Sequence, residues 1–319
     1  MSVTFGGAAA PPSIETRAID ASRRRHRTLR TLTPYLFIAP ISLLMFGLLF
    51  YPIGYNILIS FFNWDLRRAD IPFYGLRNYI EILRSSYFFP VLINTMIWSG
   101  VGVLLQFAIG LSTALFVDNL TRMKRLVQTI MLLPSVIPGV VIALVFLWML
   151  QSDLGIVNHV LWRLGIIDDN ILWFGDERFA LSTVILINTW KACRFWFLML
   201  IAGLQNLPQD QVESARIDGA RYPAILRHVI LPHLAPIIAA TGVITTIWTL
   251  NRFDLIWVTT KGGPLTATST LPIYTYRLAF EFFDFGQSAA LAVISLMVIL
   301  IVASPYLRST MKSLIGGDR

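Results

Sequence analysis

Six stretches of the chain stay apolar for about the 20 residues that a helix needs to cross a bilayer. They cover 35–61, 92–117, 126–150, 181–204, 235–258 and 287–307. Each is a continuous run rather than an alternation of apolar and polar positions, so the pattern predicts spanning helices, which satisfy their own backbone hydrogen bonds in lipid, and not a barrel. The expected fold is all-α and polytopic. Between the runs, 62–91 carries Trp64, Tyr74, Tyr79 and Tyr87, which suit a membrane interface. The segment 151–180 carries Asp153, Asp168, Asp169, Asp176 and Glu177 against two arginines and is expected to form a small cap. Pro52, Gly54, Gly100, Gly102, Pro138 and Gly139 fall inside the runs, where they serve helix packing or line a pathway.

Composition agrees with this class. The 319 residues are 55% hydrophobic and only 14% charged, too little charge to cover a soluble surface of this size. The net charge of +8 is a matter of topology. Fifteen of the 26 Lys and Arg residues lie before the first run, between the second and third, between the fourth and fifth, and after the last. Eight lie in the alternate connections, and Lys191, Arg194 and Arg252 lie within runs. Positive charge favours the cytoplasmic side. Both termini and the connection between spans four and five are therefore expected in the cytoplasm, although 62–91 is more basic than that rule prefers. The basic balance needs no nucleic-acid partner. Residues 1–33 read as a disordered, Arg-rich tail without an apolar core, so the first span is the expected targeting signal. Residues 34–307 form the membrane domain and 308–319 a second tail. Cys193, the one cysteine, has no partner for an intramolecular disulfide and reads as a packing residue.

Catalytic patterns are missing. No lysine follows a glycine, so there is no phosphate loop of the G-x-x-x-x-G-K-[ST] kind, and neither G-x-S-x-G nor H-E-x-x-H occurs. His228 and His233, five residues apart, do not share a helical face and make a poor metal pair. The expectation is a transport protein, not an enzyme, with no cofactor or metal of its own. A secondary transporter is the alternative, but Asp254 is the one acidic residue within a run, and such proteins need paired carboxylates or ion-site breaks. A scaffold has no use for polar residues in the spans together with the connection described next.

The most informative connection is 204–232. Pro208 suits a helix start, and Asp210 and Glu213 suit its positive end. Val212, Ala215 and Gly219 fall at i, i+3 and i+7, a small-residue face that a second protein can approach closely. Gly219 permits a backbone turn, and a second short helix is expected to end before Pro232. Glu213-Ser214-Ala215, then Gly219, then Ile230-Leu231-Pro232, resembles the EAA motif of permease subunits of binding-protein-dependent ABC importers, of the maltose and glycerol-3-phosphate type. Phe37-Ile38-Ala39-Pro40, Tyr51-Pro52-Ile53, Gly75-Leu76-Arg77-Asn78-Tyr79, Asn94-Thr95, Leu133-Pro134-Ser135, Ala202-Gly203-Leu204-Gln205, Phe253-Asp254-Leu255 and Gly262-Gly263-Pro264 extend the resemblance over about 34–307. Ser214 replaces the usual Ala, and Pro223 is a departure that shifts the second helix.

The resemblance implies a multi-pass protein of the bacterial inner membrane that forms a pathway for a sugar or sugar derivative. It also implies a second related permease, two ABC ATPase subunits that bind ATP and Mg, and an external substrate-binding protein. Glu213, Ser214, Ala215, Asp218, Gly219, Leu231 and Pro232 would couple the chain to the ATPases. Aligned on the same motif, the solute-contacting positions fall near Asn188, Lys191, Ala192, Phe195, Trp248, Thr249 and Arg252. Asn188, Lys191 and Phe195 share one helical face, and Trp248, Thr249 and Arg252 share another. Aromatic faces there suit sugar rings, and amides and hydroxyls suit their hydroxyl groups. Lys191 and Arg252 either face the pathway, which would suit an anionic sugar derivative, or snorkel or pair with Asp254. Arg194 is expected to do the latter.

Overall fold

The computed structural model describes residues 34, 35, 37–120 and 123–315. The Arg-rich segment 1–33 and the last four residues of the C-terminal tail lie outside the described residues. The chain divides into two units, 1–56 and 57–319. Among the described residues, five helices are long and apolar enough to cross a membrane: Phe37–Ile59, Phe88–Asp118, Glu177–Gln205, Tyr222–Thr259 and Phe285–Ser304. A bent pair, Lys124–Pro134 and Gly139–Met149, makes a sixth if taken as one span. These are spans one, two, four, five, six and three respectively.

In the first unit, span one carries a wide π-helical turn, Phe46–Phe50, closed by the Tyr51 amide donating to the Phe46 carbonyl. Pro52 follows at once. A proline ring collides with the carbonyl four residues before it and has no N–H to give; the wider turn makes room for the ring. The same device recurs in the second unit. Leu226–Ile230 is π-helical, the Leu231 amide donates to the Leu226 carbonyl, and Pro232 follows. Pro223 sits in the first turn of Tyr222–Ile225, where its missing N–H costs nothing. The short helix expected to stop before Pro232 therefore does not stop: it runs straight into span five.

Span three, by contrast, breaks. Its halves meet at 89°. Ile137 is extended (ψ 125°), as the residue before a proline tends to be, and Pro138 is extended as well (ψ 145°). Span five also breaks, at a place with no proline. Helix Leu231–Leu250 ends, Asn251 to Phe253 turn, and a six-residue helix Asp254–Thr259 follows. Phe253 stacks on Trp257 (5.4 Å between ring centroids), and Tyr276 of helix Leu271–Phe280 packs on both. The final helix continues past the expected end at 307, from Phe285 to Ile315.

Spans two and four form the main contact of the second unit. Gly110 lets the backbones close up: a side chain there would run into Trp196 Cβ, the Phe197 amide and the Cys193 carbonyl. Gly203 plays the same part between spans four and five, against Leu234 and Ile237. Small residues at such crossings are how membrane helices gain van der Waals contact. Trp98 of span two, fully buried, donates its indole N–H to the Thr249 carbonyl at 2.8 Å and so ties span two to the end of span five.

The connection after span one folds onto the start of span six. Phe285 and Gly286 amides donate to the Trp64 carbonyl, and the Leu66 amide donates to the Phe283 carbonyl. Asp65 accepts from Arg67 Nε at 2.8 Å and Nη2 at 2.7 Å. That bond, with the Arg67 amide, holds its carboxyl down at about 2. The expected cap at 151–180 is organised by buried Asn158, which donates to the Ser152 and Ile171 carbonyls and accepts from Trp173 Nε1.

Candidate functional site

Two regions hold the residues singled out in the sequence. The first is the helix Gln209–Ile217. Pro208 sits just ahead of it, extended, as its N-cap, and Asp210 lies in its first turn. Its end is a Schellman motif: the Ala220 amide donates to the Ala215 carbonyl and the Gly219 amide to the Arg216 carbonyl. Gly219 has φ 77°, a left-handed conformation that side chains resist.

The orientation of this helix corrects one expectation. Of its small-residue face, Val212 and Ala215 turn inward and Gly219 alone is exposed. Val212 is only 8% exposed, and it joins Leu204, Leu207, Ile225 and Ile230 in a cluster at the ends of spans two, four and five. Ala215 and Ala220 pack against that cluster. The reason is simple: Val212 and Ala215 are the apolar positions of a mostly polar helix, and the chain's own spans cover them. What remains outside is Gln209, Asp210, Gln211, Glu213, Ser214, Arg216, Ile217, Asp218 and Gly219. Ile217 is 86% exposed on this polar surface. Leu231 is half-buried and Pro232 exposed, both on the continuous helix that leads into span five.

The second region is a small cavity, about 40 Å³, among spans two, four and five, lined by Gln106, Lys191, Ala192, Arg194, Phe195, Thr245, Trp248, Thr249 and Arg252. Six of the seven residues proposed from sequence for the solute line it. Asn188 does not; it is buried within the helix packing, with its Oδ1 unpartnered. Three lining residues were missed. Gln106 and Thr245 carry no signal in a single apolar run, and from sequence Arg194 is expected to snorkel to an interface or pair with Asp254. Periodicity pairs residues on one helix, whereas this cavity joins three.

Lys191 is the central residue of Glu177–Gln205, fourteen positions from either end, or about 21 Å at 1.5 Å per residue. A charge at that depth costs about 2.5–3.5 kcal/mol on insertion scales unless it faces the bundle interior. Arg252, in the turn that breaks span five, pairs with Asp254 at 3.7 Å. A Cβ at Gly139 would meet the Asp254 carboxylate and the Lys191 ammonium, which would have to swing aside. The break in span three thus brings the start of Gly139–Met149 against Asp254, where the positive end of a helix favours a carboxylate. Phe195 and Trp248 face each other across spans four and five with centroids 5.0 Å apart. Trp248 and Arg252 also border an open hollow of about 490 Å³ with Asn251, Phe253 and Asp254. The first space holds about one water; the second is of the size that takes small molecules.

An all-helical bundle with broken spans, charged groups at its centre and a short helix docked across its ends has the form of a membrane transport subunit. Residues 106–308 match the family described as binding-protein-dependent transport system inner membrane component, and the chain belongs to that family. It is 32% identical over 286 residues to a probable ABC transporter permease protein, y4oQ, of Sinorhizobium fredii, covering 89% of this chain and 92% of that protein. It is also 32% identical to the sulfoquinovosyl glycerol transport system permease protein SmoG of Agrobacterium fabrum, over 87% of this chain and 90% of that one. In fold it resembles a chain of a bacterial ABC transporter involved in the import of the acidic polysaccharide alginate. The TM-score is 0.78 at 22% identity, covering 91% of this chain and 99% of that one. The protein is therefore a multi-pass membrane permease, a transport subunit rather than an enzyme.

Proposed function

We propose that this permease is one of two related membrane subunits of an ATP-driven importer in the bacterial inner membrane, carrying a sugar or sugar derivative delivered by an external binding protein. The solute class rests on relatives such as SmoG, named for a glycosyl glycerol, and on the aromatic and polar lining of the central cavity. Both termini and helix Gln209–Ile217 are cytoplasmic in this reading. ATP and Mg belong to two separate ATPase subunits, and this chain holds no cofactor.

The observation that carries the coupling is the two-sided character of Gln209–Ile217. Its inner side is packed into the ends of spans two, four and five, so it cannot move without them. Its outer side offers Glu213, Ser214, Asp218 and the exposed Ile217, a polar surface with one apolar anchor of the kind a cleft on an ATPase receives. Ala215 and Gly219 act as the support and the turn that hold this surface in place, and Leu231 and Pro232 lie on the helix that carries its movement into span five. When the ATPases close, the helix is drawn inward, span five follows, and the cavity opens.

Affinity purification from mild detergent tests this reading. The tagged chain should bring down an ATPase and a second permease, and Gly219→Trp, which puts a large side chain at a left-handed position, should lose the ATPase. Purification as a lone chain that still moves solute without ATP would replace the reading with a secondary transporter.

A further inference from the structure

Three cations line one small cavity among spans two, four and five, and one carboxylate answers them. Arg252 pairs with Asp254; among the described residues, neither Lys191 nor Arg194 forms an ion pair. Arg194 Nη1 and Arg252 Nε are buried without a hydrogen-bond partner. Gln106, on span two and 0% exposed, lines the same cavity with both its Oε1 and its Nε2 unpartnered. Buried polar atoms are nearly always satisfied. Four such atoms on three different spans, all bordering one space, are a built polar site rather than an accident of packing. Thr245 and Thr249 add hydroxyls to it from span five.

We infer that the cavity is a recognition site for an acidic group on the solute, a carboxylate, sulfonate or phosphate borne by a sugar, and that Asp254 is the internal counter-ion it displaces. This deepens the proposed function and rests on it. Guanidinium and ammonium groups give such an anion charge-assisted hydrogen bonds, the strong ones in a desolvated site. The amide of Gln106 donates to the anion or to a neighbouring sugar hydroxyl. The aromatic pair Phe195 and Trp248, which now face each other, separate to take the ring. Before the solute arrives, Asp254 pairs with Arg252 and lies against the start of Gly139–Met149, with the Lys191 ammonium close to the same glycine. The space of about 40 Å³ is too small for a sugar, so the anion enters only as spans three, four and five move apart. That movement also frees Arg252 from the Asp254 carboxylate. A solute acid then takes over the cations that the internal acid gives up, which keeps them paired through the cycle.

The test uses the complete transporter in cells, with uptake of paired labelled probes: methyl glucoside against methyl glucuronide, methyl galactoside against methyl galacturonide, and glucose against its 6-sulfonate and 6-phosphate. Uptake of an acidic probe at least tenfold faster than its neutral partner, reduced tenfold or more by K191M/R252M with the subunits still co-purifying, supports the inference. In that case Lys191→Arg retains most of the uptake, since charge rather than shape is read. Asp254→Asn should lower the half-saturating concentration of the acidic probe several-fold, a shift that a merely structural loss would not give. Uptake of an acidic probe no faster than that of its neutral partner, or at a rate unchanged in K191M/R252M, overturns the inference and leaves the importer reading standing. ATP hydrolysis by the assembled complex with no uptake of any of these sugars overturns the sugar reading and the inference with it.

Discussion

The helix Gln209–Ile217 and the central cavity solve opposite problems. The helix keeps its charges outside and turns Val212 and Ala215 inward, leaving Ile217 as the one apolar residue in the open. The cavity does the reverse, holding Lys191, Arg194, Arg252 and Gln106 within an apolar bundle. The first arrangement is stable by itself and becomes functional by what docks on it. The second is costly unless something answers its charges, so its function is bound up with its stability. A change on the outer face of the helix should therefore leave the membrane domain intact, whereas a change in the cavity should alter both solute handling and fold.

The largest effect expected from that contrast is at Ile217. Ile217→Asp removes the exposed apolar anchor without touching the spans. ATP-dependent uptake should fall more than tenfold and the ATPase should be lost in pull-down, while the thermal midpoint of the purified chain stays where it was. A large drop in that midpoint would mean the residue is structural and the two-sided picture is wrong. The next largest is Gly110→Leu. Forcing spans two and four apart where Gly110 meets Trp196 and Phe197 overpacks the bundle by about 1–3 kcal/mol or more, readable as a lower thermal midpoint and loss of assembled complex. Smaller still is Trp98→Phe. It removes one buried hydrogen bond to Thr249, and bonds of this kind average about 0.6 kcal/mol within membranes. The midpoint should drop slightly, with uptake altered more than stability because Thr249 lines the cavity.

The smallest lies outside the membrane and sharpens the comparison by being independent of both regions. Asp65 has a folded pKa of about 2 because Arg67 bonds to it. A carboxyl depressed on folding adds stability that is present above its ordinary value near 4 and is lost as pH falls through about 2. The difference in thermal midpoint between the native chain and Asp65→Asn should be constant above about pH 5 and shrink towards pH 2. A difference that grew on acidification would contradict the bonding seen here.

The comparison also separates what can be read from one sequence from what cannot. Six apolar runs are visible because burial in lipid acts on composition over about 20 residues at a time. Their interruptions are not. Pro138 breaks span three, but Pro52 and Pro232 are absorbed by π-helical turns one residue upstream, and span five breaks at Asn251 to Phe253 without any proline. Whether a helix bends depends on what its freed carbonyls and side chains meet, which is a tertiary matter. The helix after Pro208 and its Gly219 stop follow from local capping chemistry. Which face of it turns outward does not, because that depends on the apolar cover offered by Leu204, Leu207, Ile225 and Ile230. In the cavity, spacing groups Asn188 with Lys191 and Phe195, and Trp248 with Thr249 and Arg252, and all of these but Asn188 line the same space. It had no means of adding Gln106 from span two.

The account stands or falls on energy coupling. The most direct measurement is uptake of labelled solute into proteoliposomes holding the complete complex with the external binding protein added, with ATP enclosed or omitted. The account predicts accumulation with ATP only, abolished by Ile217→Asp. Accumulation without ATP, driven by an ion gradient and carried by this chain alone, would contradict it.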